Sequence, residues 1–269
     1  MNLAAAELKP QEFQKISDLV YRTCGINLKQ GKEALVRARL MKRLRTLGIQ
    51  RVDDYLDFLE NDPHGKEMGC LIDVMTTNKT SFFREGDHFN FLRDTVLPGL
   101  DAPRLRFWSA ACSSGEEPYT LAVVLLEHLS GVGRKDVRIL ATDISRRMLE
   151  RAARGVYPRE AVADVSVPAY RKYFTPLGRS GEVQVVPEAR ALVHLAYLNL
   201  MEPWPMKGRF QVIFCRNVMI YFDRATQQEL INRFYGVLED GGYLFVGHSE
   251  GLSAITHRFR YVRPAVYRK

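Results

Sequence analysis

No apolar run in this chain reaches the roughly 18 to 20 residues that a membrane span requires, so a transmembrane protein is not expected. The first residues, MNLAAAELKPQEF, carry an acid and lack a basic segment followed by an apolar core, which argues against a cleavable leader. Cysteine is scarce: Cys24, Cys70, Cys112 and Cys215 are the full complement of 4, and no two stand in a C-x-x-C pair. Reduced core thiols in a cytoplasmic protein are the expectation, rather than disulfides or a metal site. There is no G-x-G-x-x-G stretch, which removes the usual dinucleotide fingerprint. Internal repeats and low-complexity tracts are absent too.

What is present reads as an ordinary globular protein. The 269 residues suffice for one or two domains, and the chain is 46% hydrophobic and 26% charged. Its formal net charge of +8 favours acidic partners. The distribution of that charge says more. Between Lys29 and Arg51 the basic residues Lys29, Lys32, Arg37, Arg39, Lys42, Arg43, Arg45 and Arg51 face one acid, Glu33. The next stretch reverses, with Asp53, Asp54, Asp57, Glu60, Asp62, Glu67 and Asp73 against Lys66. Such segregation suits either a basic face presented to a partner or a solvated helix surface.

Apolar spacing divides the chain. Phe13, Ile16, Leu19 and Val20, then Val36, Leu40, Leu44 and Leu47, then Tyr55, Leu56 and Leu59 recur at helical intervals. Residues 1–75 therefore read as a small all-α domain. Arg39, Lys42 and Arg45 form an i, i+3, i+6 row away from the apolar stripe of its second helix. A linker and a helix are expected over 76–98. From 99 to 269 the pattern alternates strand and helix: strands at 105–111, 137–143, 210–215 and 243–248, helices at 116–129, 145–154 and 224–238, with Ser145 and Asp223 as caps. A turn is expected at Asp240-Gly241-Gly242 and a closing hairpin in FRYVRPAVYRK. This is an α/β reading, a largely parallel sheet covered on both faces. Residues 157–195 break the rhythm and read as a small antiparallel insertion whose last strand returns to the main sheet.

Three strand ends carry the chemistry. FWSAACSSGEEPYTLA runs from a strand through a small-residue loop into a helix, where free backbone N–H groups gather. Glu116 and Glu117 follow Gly115 at once. They oppose a pyrophosphate and suit a ligand with a cationic or hydroxylated part, or else they complement the helix dipole. Asp143 ends the second strand, placed either to accept from ribose hydroxyls or to cap the next helix. Together these describe an adenosine site without a phosphate site, and S-adenosylmethionine fits it: a nucleoside, a sulfonium cation and an amino-acid tail. A third strand, FQVIFC, stops at the polar pair Arg216-Asn217, at the kind of strand end where open α/β sheets bind ligands.

The chain resembles the chemotaxis-receptor methyltransferases of bacteria, the CheR-type protein-glutamate O-methyltransferases. NKTSFFRE (78–85), WSAACSSGEEPY (108–119), ATDIS (141–145), Asn199-Leu200, FCRNVMIYFD (214–223) and GHSE (247–250) carry the resemblance, in the family's order and over nearly the whole chain. The resemblance implies a Rossmann-like class I methyltransferase domain with a small antiparallel β-subdomain, preceded by an all-α domain. It implies that Asn78, Thr80 and Arg84 line the cofactor's amino-acid end, and that Glu116 or Glu117 meets its cationic part. Asp143 would take the ribose hydroxyls, Asn199 and Leu200 would bracket the adenine, and Arg216 and Asn217 would close the pocket. Arg84 and Tyr221 are the implied catalytic residues, Tyr221 reaching the methyl or the acceptor carboxylate. Lys79 and the Cys112-Ser113-Ser114 loop are small departures that leave the cofactor unaffected.

The implied reaction makes glutamate methyl esters on the cytoplasmic helical domain of chemoreceptors and releases S-adenosylhomocysteine. A carboxylate acceptor is ionised at neutral pH, so no general base is required. No metal is required either. Arg37, Arg39, Lys42, Arg43 and Arg45 would dock the acidic receptor helix. In some family members the β-subdomain grips a receptor tether; the short Gly178–Glu182 turn leans against that here. The expected protein is a cytoplasmic monomer that neither inserts in a membrane nor binds nucleic acid, since a base-clamping NPPY motif and catalytic cysteine pairs are missing. Two alternatives are the same chemistry on another signalling receptor, and a non-catalytic module that senses the cofactor or its product.

Overall fold

A computed structural model describes residues 8–28, 31–63, 65–163, 165 and 168–269. Lys29 and the first seven residues, on which part of the charge and leader readings rest, lie outside them. The chain forms two compact units. One takes in residues up to Thr77 together with Tyr221–Asp223; the other comprises Asn78–Ile220 and Arg224–Lys269.

The first unit is helical: α1 (Pro10–Cys24), α2 (Glu33–Leu47), α3 (Val52–Glu60) and α4 (Lys66–Met75). Pro10 opens α1 at a position where its missing N–H costs nothing. Gly25 and Gly48 close α1 and α2 in the left-handed conformation, at φ 73° and 71°. The apolar stripes meet in a core of Phe13, Ile16, Val20, Val36, Leu40, Leu44, Tyr55, Leu56, Leu59, Leu71 and Ile72. Two carboxylates, Glu12 and Glu67, are buried with them. Glu67 accepts from Arg43 through both oxygens and from the Tyr55 hydroxyl at 2.8 Å. Burying a carboxylate is tolerable because it is paired and fully hydrogen-bonded. The same pairing raises the Arg43 guanidinium further above its usual range. Tyr221–Asp223 bonds to this unit: the Asn27 N–H donates to the Tyr221 carbonyl at 2.8 Å, and the Tyr21 hydroxyl donates to Asp223 Oδ2 at 2.6 Å.

The second unit is built on a seven-stranded sheet. In chain order its elements are α5 (Asp87–Phe91), β1 (Arg104–Ala110), α6 (Glu116–His128), β2 (Asp136–Asp143), α7 (Arg146–Arg154), β3 (Val156–Pro158), β4 (Phe174–Leu177) and β5 (Glu182–Val185). Then come α8 (Pro187–Leu192), β6 (Val193–Tyr197), β7 (Phe210–Cys215), α9 (Arg224–Val237), β8 (Leu238–Val246), β9 (Arg260–Arg263) and β10 (Val266–Arg268). The sheet order is β6-β2-β1-β7-β8-β10-β9. Strands β6, β2, β1, β7 and β8 are parallel, and β10 and β9 finish the sheet as an antiparallel hairpin. β3, β5 and β4 form a separate antiparallel sheet.

Burial explains the strands. β1 and β7 are covered on both faces, so Phe107, Trp108, Val212, Ile213 and Phe214 are fully buried in consecutive positions. α6 is apolar nearly all round, Leu121 to Leu125 being inaccessible, as suits a helix buried on more than one side. Phe214 stacks on Phe245 with ring centroids 4.3 Å apart and planes 6° apart. α5 continues through a π-helical turn (Leu92–Val96) into a short 3-10 turn ending at Gly99, so the helix expected in the linker is wound in three ways.

One expectation needs correcting. Asp240-Gly241-Gly242 is not a turn before a strand; it lies inside β8, which starts at Leu238. The β7 partner shifts from Leu238 opposite Phe210 to Tyr243 opposite Val212, so the extra residues bulge out of the ladder. Gly242 is needed there, since a Cβ would meet Leu238 Cδ2 at 2.5 Å and the Gln211 carbonyl at 2.9 Å.

Candidate active site

The strand order reverses at β1: β2 and β6 lie on one side, β7 and β8 on the other. The carboxyl ends of β1 and β7 therefore flank the switch point at which such sheets bind ligands. Residues 111–115 follow β1, and Arg216 and Asn217 follow β7. Residues 78–85 belong to the same unit and bond to both loops. The Ser113 hydroxyl donates to the Asn78 carbonyl at 3.2 Å, and Arg216 Nη2 donates to the Arg84 carbonyl.

Backbone strain concentrates here. Among the described residues six non-glycine positions have positive φ, and five of them, Phe83, Glu85, Ala111, Ser113 and Asn217, lie in these loops. Each costs about 1 kcal/mol or more and persists only where the surroundings impose it. Gly115, the N-cap of α6, has φ 98°. A Cβ there would meet both Ala152 Cβ and the Tyr157 hydroxyl at 2.8 Å.

The structure separates the two acids that the sequence left undivided. Glu116 is buried, accepts from the Ser114 hydroxyl at 2.7 Å and lies on the side of Tyr157 and Arg151. Glu117 accepts from the Ser109 hydroxyl at 2.7 Å and stands 3.6 Å from Arg216 Nε. Burial raises both carboxyls above the usual range, and Arg216 works against that at Glu117. Arg216 is itself almost wholly buried. It lies 3.5 Å from Glu85 and over the rings of Phe89 and Phe214. Its Nε and Nη1 have no hydrogen-bond partner among the described residues. Such donors want a ligand acceptor or water.

Asp143 is buried at the end of β2 and receives two backbone amides. Ser113 donates to Oδ2 and Ser145 to Oδ1, each at 2.8 Å. The cap of α7 is Ser145, whose hydroxyl accepts from the Met148 N–H at 3.1 Å. A carboxylate oxygen accepts more than one hydrogen bond, so Asp143 keeps capacity for hydroxyl donors. Next to it the Leu198 N–H donates to the Asp143 carbonyl, starting the loop that carries Asn199 and Leu200. Asn199 folds that loop by accepting from the Met201 N–H at 3.0 Å. The Leu200 carbonyl accepts from Trp204 Nε1 and from Arg233. Arg84 is half-buried and donates to the Lys79 carbonyl at 2.7 Å; Asn78 and Thr80 are half-buried beside it.

Two residues with no role in the sequence reading stand at the centre of the site. Glu85 accepts from Asn217 Nδ2 at 3.0 Å and from the His248 N–H at 3.3 Å. Glu250 accepts from the N–H groups of Asn217, Gly247 and Ile220 at 2.6, 2.7 and 3.1 Å. A signal existed: NKTSFFRE and GHSE each end on one of these glutamates. Glu85, His88 and His248 also bring ligand-type atoms within 4.8 Å of one another. Burial, with Arg216, His248 and Arg263 nearby, pushes His88 down to about 3. A divalent cation would have to displace Arg216 from Glu85 in these cationic surroundings, which makes the trio a poor metal site.

Within the helical unit, Arg39 donates to the Met75 carbonyl and to Thr77 Oγ1, and Arg43 is held by Glu67. Arg37, Lys42 and Arg45 are the exposed members of the basic set. Tyr221 is half-buried in that unit. All four cysteines are free thiols. Burial raises Cys24 to about 11 and holds Cys112 and Cys215 well above the usual thiol range.

Comparison with known proteins accounts for both units. Residues 78–267 match the family model described as CheR methyltransferase, SAM binding domain, and residues 11–76 match CheR methyltransferase, all-alpha domain. A chemotaxis protein methyltransferase of Borreliella burgdorferi is 40% identical over 96% of this chain and 94% of its own length. Chemotaxis protein methyltransferase 2 of Pseudomonas aeruginosa is 40% identical, covering 96% of this chain and 92% of that protein. The chemotaxis protein methyltransferase of Escherichia coli is 40% identical, with 97% and 91% covered. The chain belongs to the CheR methyltransferase family, whose S-adenosylmethionine-binding domain is its α/β unit.

Proposed function

We propose that this protein transfers the methyl group of S-adenosylmethionine to side-chain carboxylates of glutamates in the cytoplasmic helical domain of chemoreceptors. The products are glutamate methyl esters and S-adenosylhomocysteine. The observation that carries the reading is Arg216, buried between Glu85 and Glu117 at the switch point with donors unmet. A phosphate ligand would face those acids. A ligand with both a carboxylate and cationic groups matches the mixed set, and S-adenosylmethionine has both.

The residues fit that group. Asp143 would hold the ribose hydroxyls, Asn199 and Leu200 the adenine, and Glu117 the cationic part. Asn78, Thr80, Arg216 and Asn217 would hold the amino-acid end. When bound, S-adenosylmethionine supplies an electrophilic methyl: the acceptor's O–C bond forms as the C–S bond breaks, and the electron pair leaves on sulfur. The protein's task is alignment and exclusion of water, which together supply several kcal/mol. Arg84 orients the acceptor carboxylate, and Tyr221 is the second catalytic residue of the proposal. Neither takes a proton, because the acceptor is already an anion at neutral pH. A tight pair with Arg84 would blunt the nucleophile; the Lys79 carbonyl already occupies one side of that guanidinium.

Docking falls to the exposed cations of α2, Arg37, Lys42 and Arg45, facing acidic receptor helices. Arg39 and Arg43 have structural bonds to keep. The reading places the protein in the cytoplasm. Its test is transfer of labelled methyl from S-adenosylmethionine to purified receptor cytoplasmic fragments, with wild type and Arg84→Ala in parallel. Base-labile label on the receptor, reduced at least about 100-fold in the variant, is the expected result. Base-stable label, or none while S-adenosylhomocysteine still binds, would overturn the reading.

A further inference from the structure

We propose that Glu85 and Glu250 are paired positioning residues: together they hold Asn217 in its left-handed conformation and so aim Arg216 and Asn217 at the cofactor. The inference rests on the reading of residues 216 and 217 as cofactor-binding and assigns the groups that make them so.

Asn217 has φ 60°, a conformation that asparagine tolerates better than most residues but that still needs support. Support comes from two directions. The Asn217 N–H donates to Glu250 Oε2 at 2.6 Å, and its side-chain Nδ2 donates to Glu85 Oε1 at 3.0 Å. Backbone and side chain of one residue are thus gripped by separate carboxylates from separate loops. Glu250 Oε2 also accepts from the Gly247 N–H, and Oε1 from the Ile220 N–H. A glutamine would present one acceptor oxygen where three amides converge, and its NH2 would confront a donor. The packing leaves no slack. A Cβ on Gly247 would lie 2.6 Å from Glu250 Oε2 and 2.7 Å from Asn217 Nδ2. Glu85, itself at φ 56°, closes the clamp by facing Arg216 at 3.5 Å through Oε2, which also accepts from the His248 N–H. Residues 78–85, 216–220 and 247–250 are thereby tied through two carboxylates. Either one lost would let Asn217 relax and swing Arg216, whose Nε and Nη1 have no hydrogen-bond partner among the described residues.

The experiment uses the full chain and calorimetric binding of S-adenosylhomocysteine, which needs no methyl acceptor. Glu85→Ala, Glu85→Gln, Asn217→Ala and the double variant Glu85→Ala/Asn217→Ala are compared, with thermal midpoints to confirm folding. Losing a charge-assisted hydrogen bond that positions the ligand weakens binding about tenfold, and Glu85→Ala is expected to show that. Glu85→Gln keeps an acceptor for Asn217 and recovers part of the loss. In the Asn217→Ala background, Glu85→Ala is expected to cost less than about threefold, because the two act as one device. Binding by Glu85→Ala within about twofold of wild type would overturn the clamp. So would an equal loss in both backgrounds, which marks independent effects. A wrong acceptor shows instead in the transfer assay, with this binding pattern intact.

Discussion

At the residue scale, Asp143 and His88 give separable predictions. Asp143→Asn removes a charge that would serve the ribose hydroxyls while keeping one acceptor oxygen. Affinity for S-adenosylhomocysteine is expected to fall about 10- to 100-fold, the range for hydrogen bonds to a charged group; an unchanged isotherm would remove Asp143 from the site. His88 concerns stability. Its folded value of about 3 lies below the ordinary 6.5, because burial, with Arg216, His248 and Arg263 nearby, outweighs Glu85 at 3.5 Å. Between those values the unfolded chain binds the extra proton. Stability from this group is therefore full above about pH 6.5 and declines as pH falls, by up to about 1.4 kcal/mol per pH unit. Denaturant titrations between pH 5 and about 7 should show a shallower slope in His88→Phe than in wild type. The placement of Asp143, Arg216 and Asn217 at strand ends was legible from sequence, because each closes or follows a strand-type run. Glu85 and Glu250 closed two motifs, but their role was not legible: Ile220, Asn217 and His248, which they hold, lie 30 to 163 positions away, and no local pattern registers such bonds.

At the element scale, the loop from β1 to α6 depends on one glycine. Gly115→Ala puts a side chain at φ 98° and 2.8 Å from Ala152 and Tyr157. Strain and overpacking together should cost about 2–4 kcal/mol, read as a lower thermal midpoint and weaker S-adenosylhomocysteine binding. A midpoint equal to wild type would show that the loop adapts. β1, β2, β7 and α6 were readable within a residue or so, since both-faced burial writes continuous apolar runs and Gly115 marks the turn between them. β8 was misread because Asp240-Gly241-Gly242 has turn chemistry. The ladder with β7 keeps it within a strand as a bulge, and that tertiary pairing has no trace in the local sequence. The basic row of α2 was legible as a row but not in its division of labour. Arg39 and Arg43 face other elements only once α4 packs beside α2, and that packing turns two apparent surface charges into structural ones.

At the scale of the whole molecule, the proposed docking of an acidic acceptor on the exposed cations of α2 would be an electrostatic event, in keeping with a net charge of +8. Lys42→Glu/Arg45→Glu should raise the Michaelis constant for a receptor fragment at least about tenfold while cofactor affinity stays constant. The wild-type value should rise with ionic strength as screening shortens the reach of these charges. An unchanged constant would move docking off α2. Among the described residues no helix is long and apolar enough to cross a membrane. The central claim is that the methyl group ends on a glutamate carboxylate. Peptide mass spectrometry of a receptor cytoplasmic fragment, after incubation with the protein and S-adenosylmethionine, tests it most directly. The account predicts one methyl increment on glutamate side chains of the helical domain, removed by mild base and absent where that glutamate is replaced by glutamine. A base-stable methyl on lysine, arginine or another side chain would contradict it.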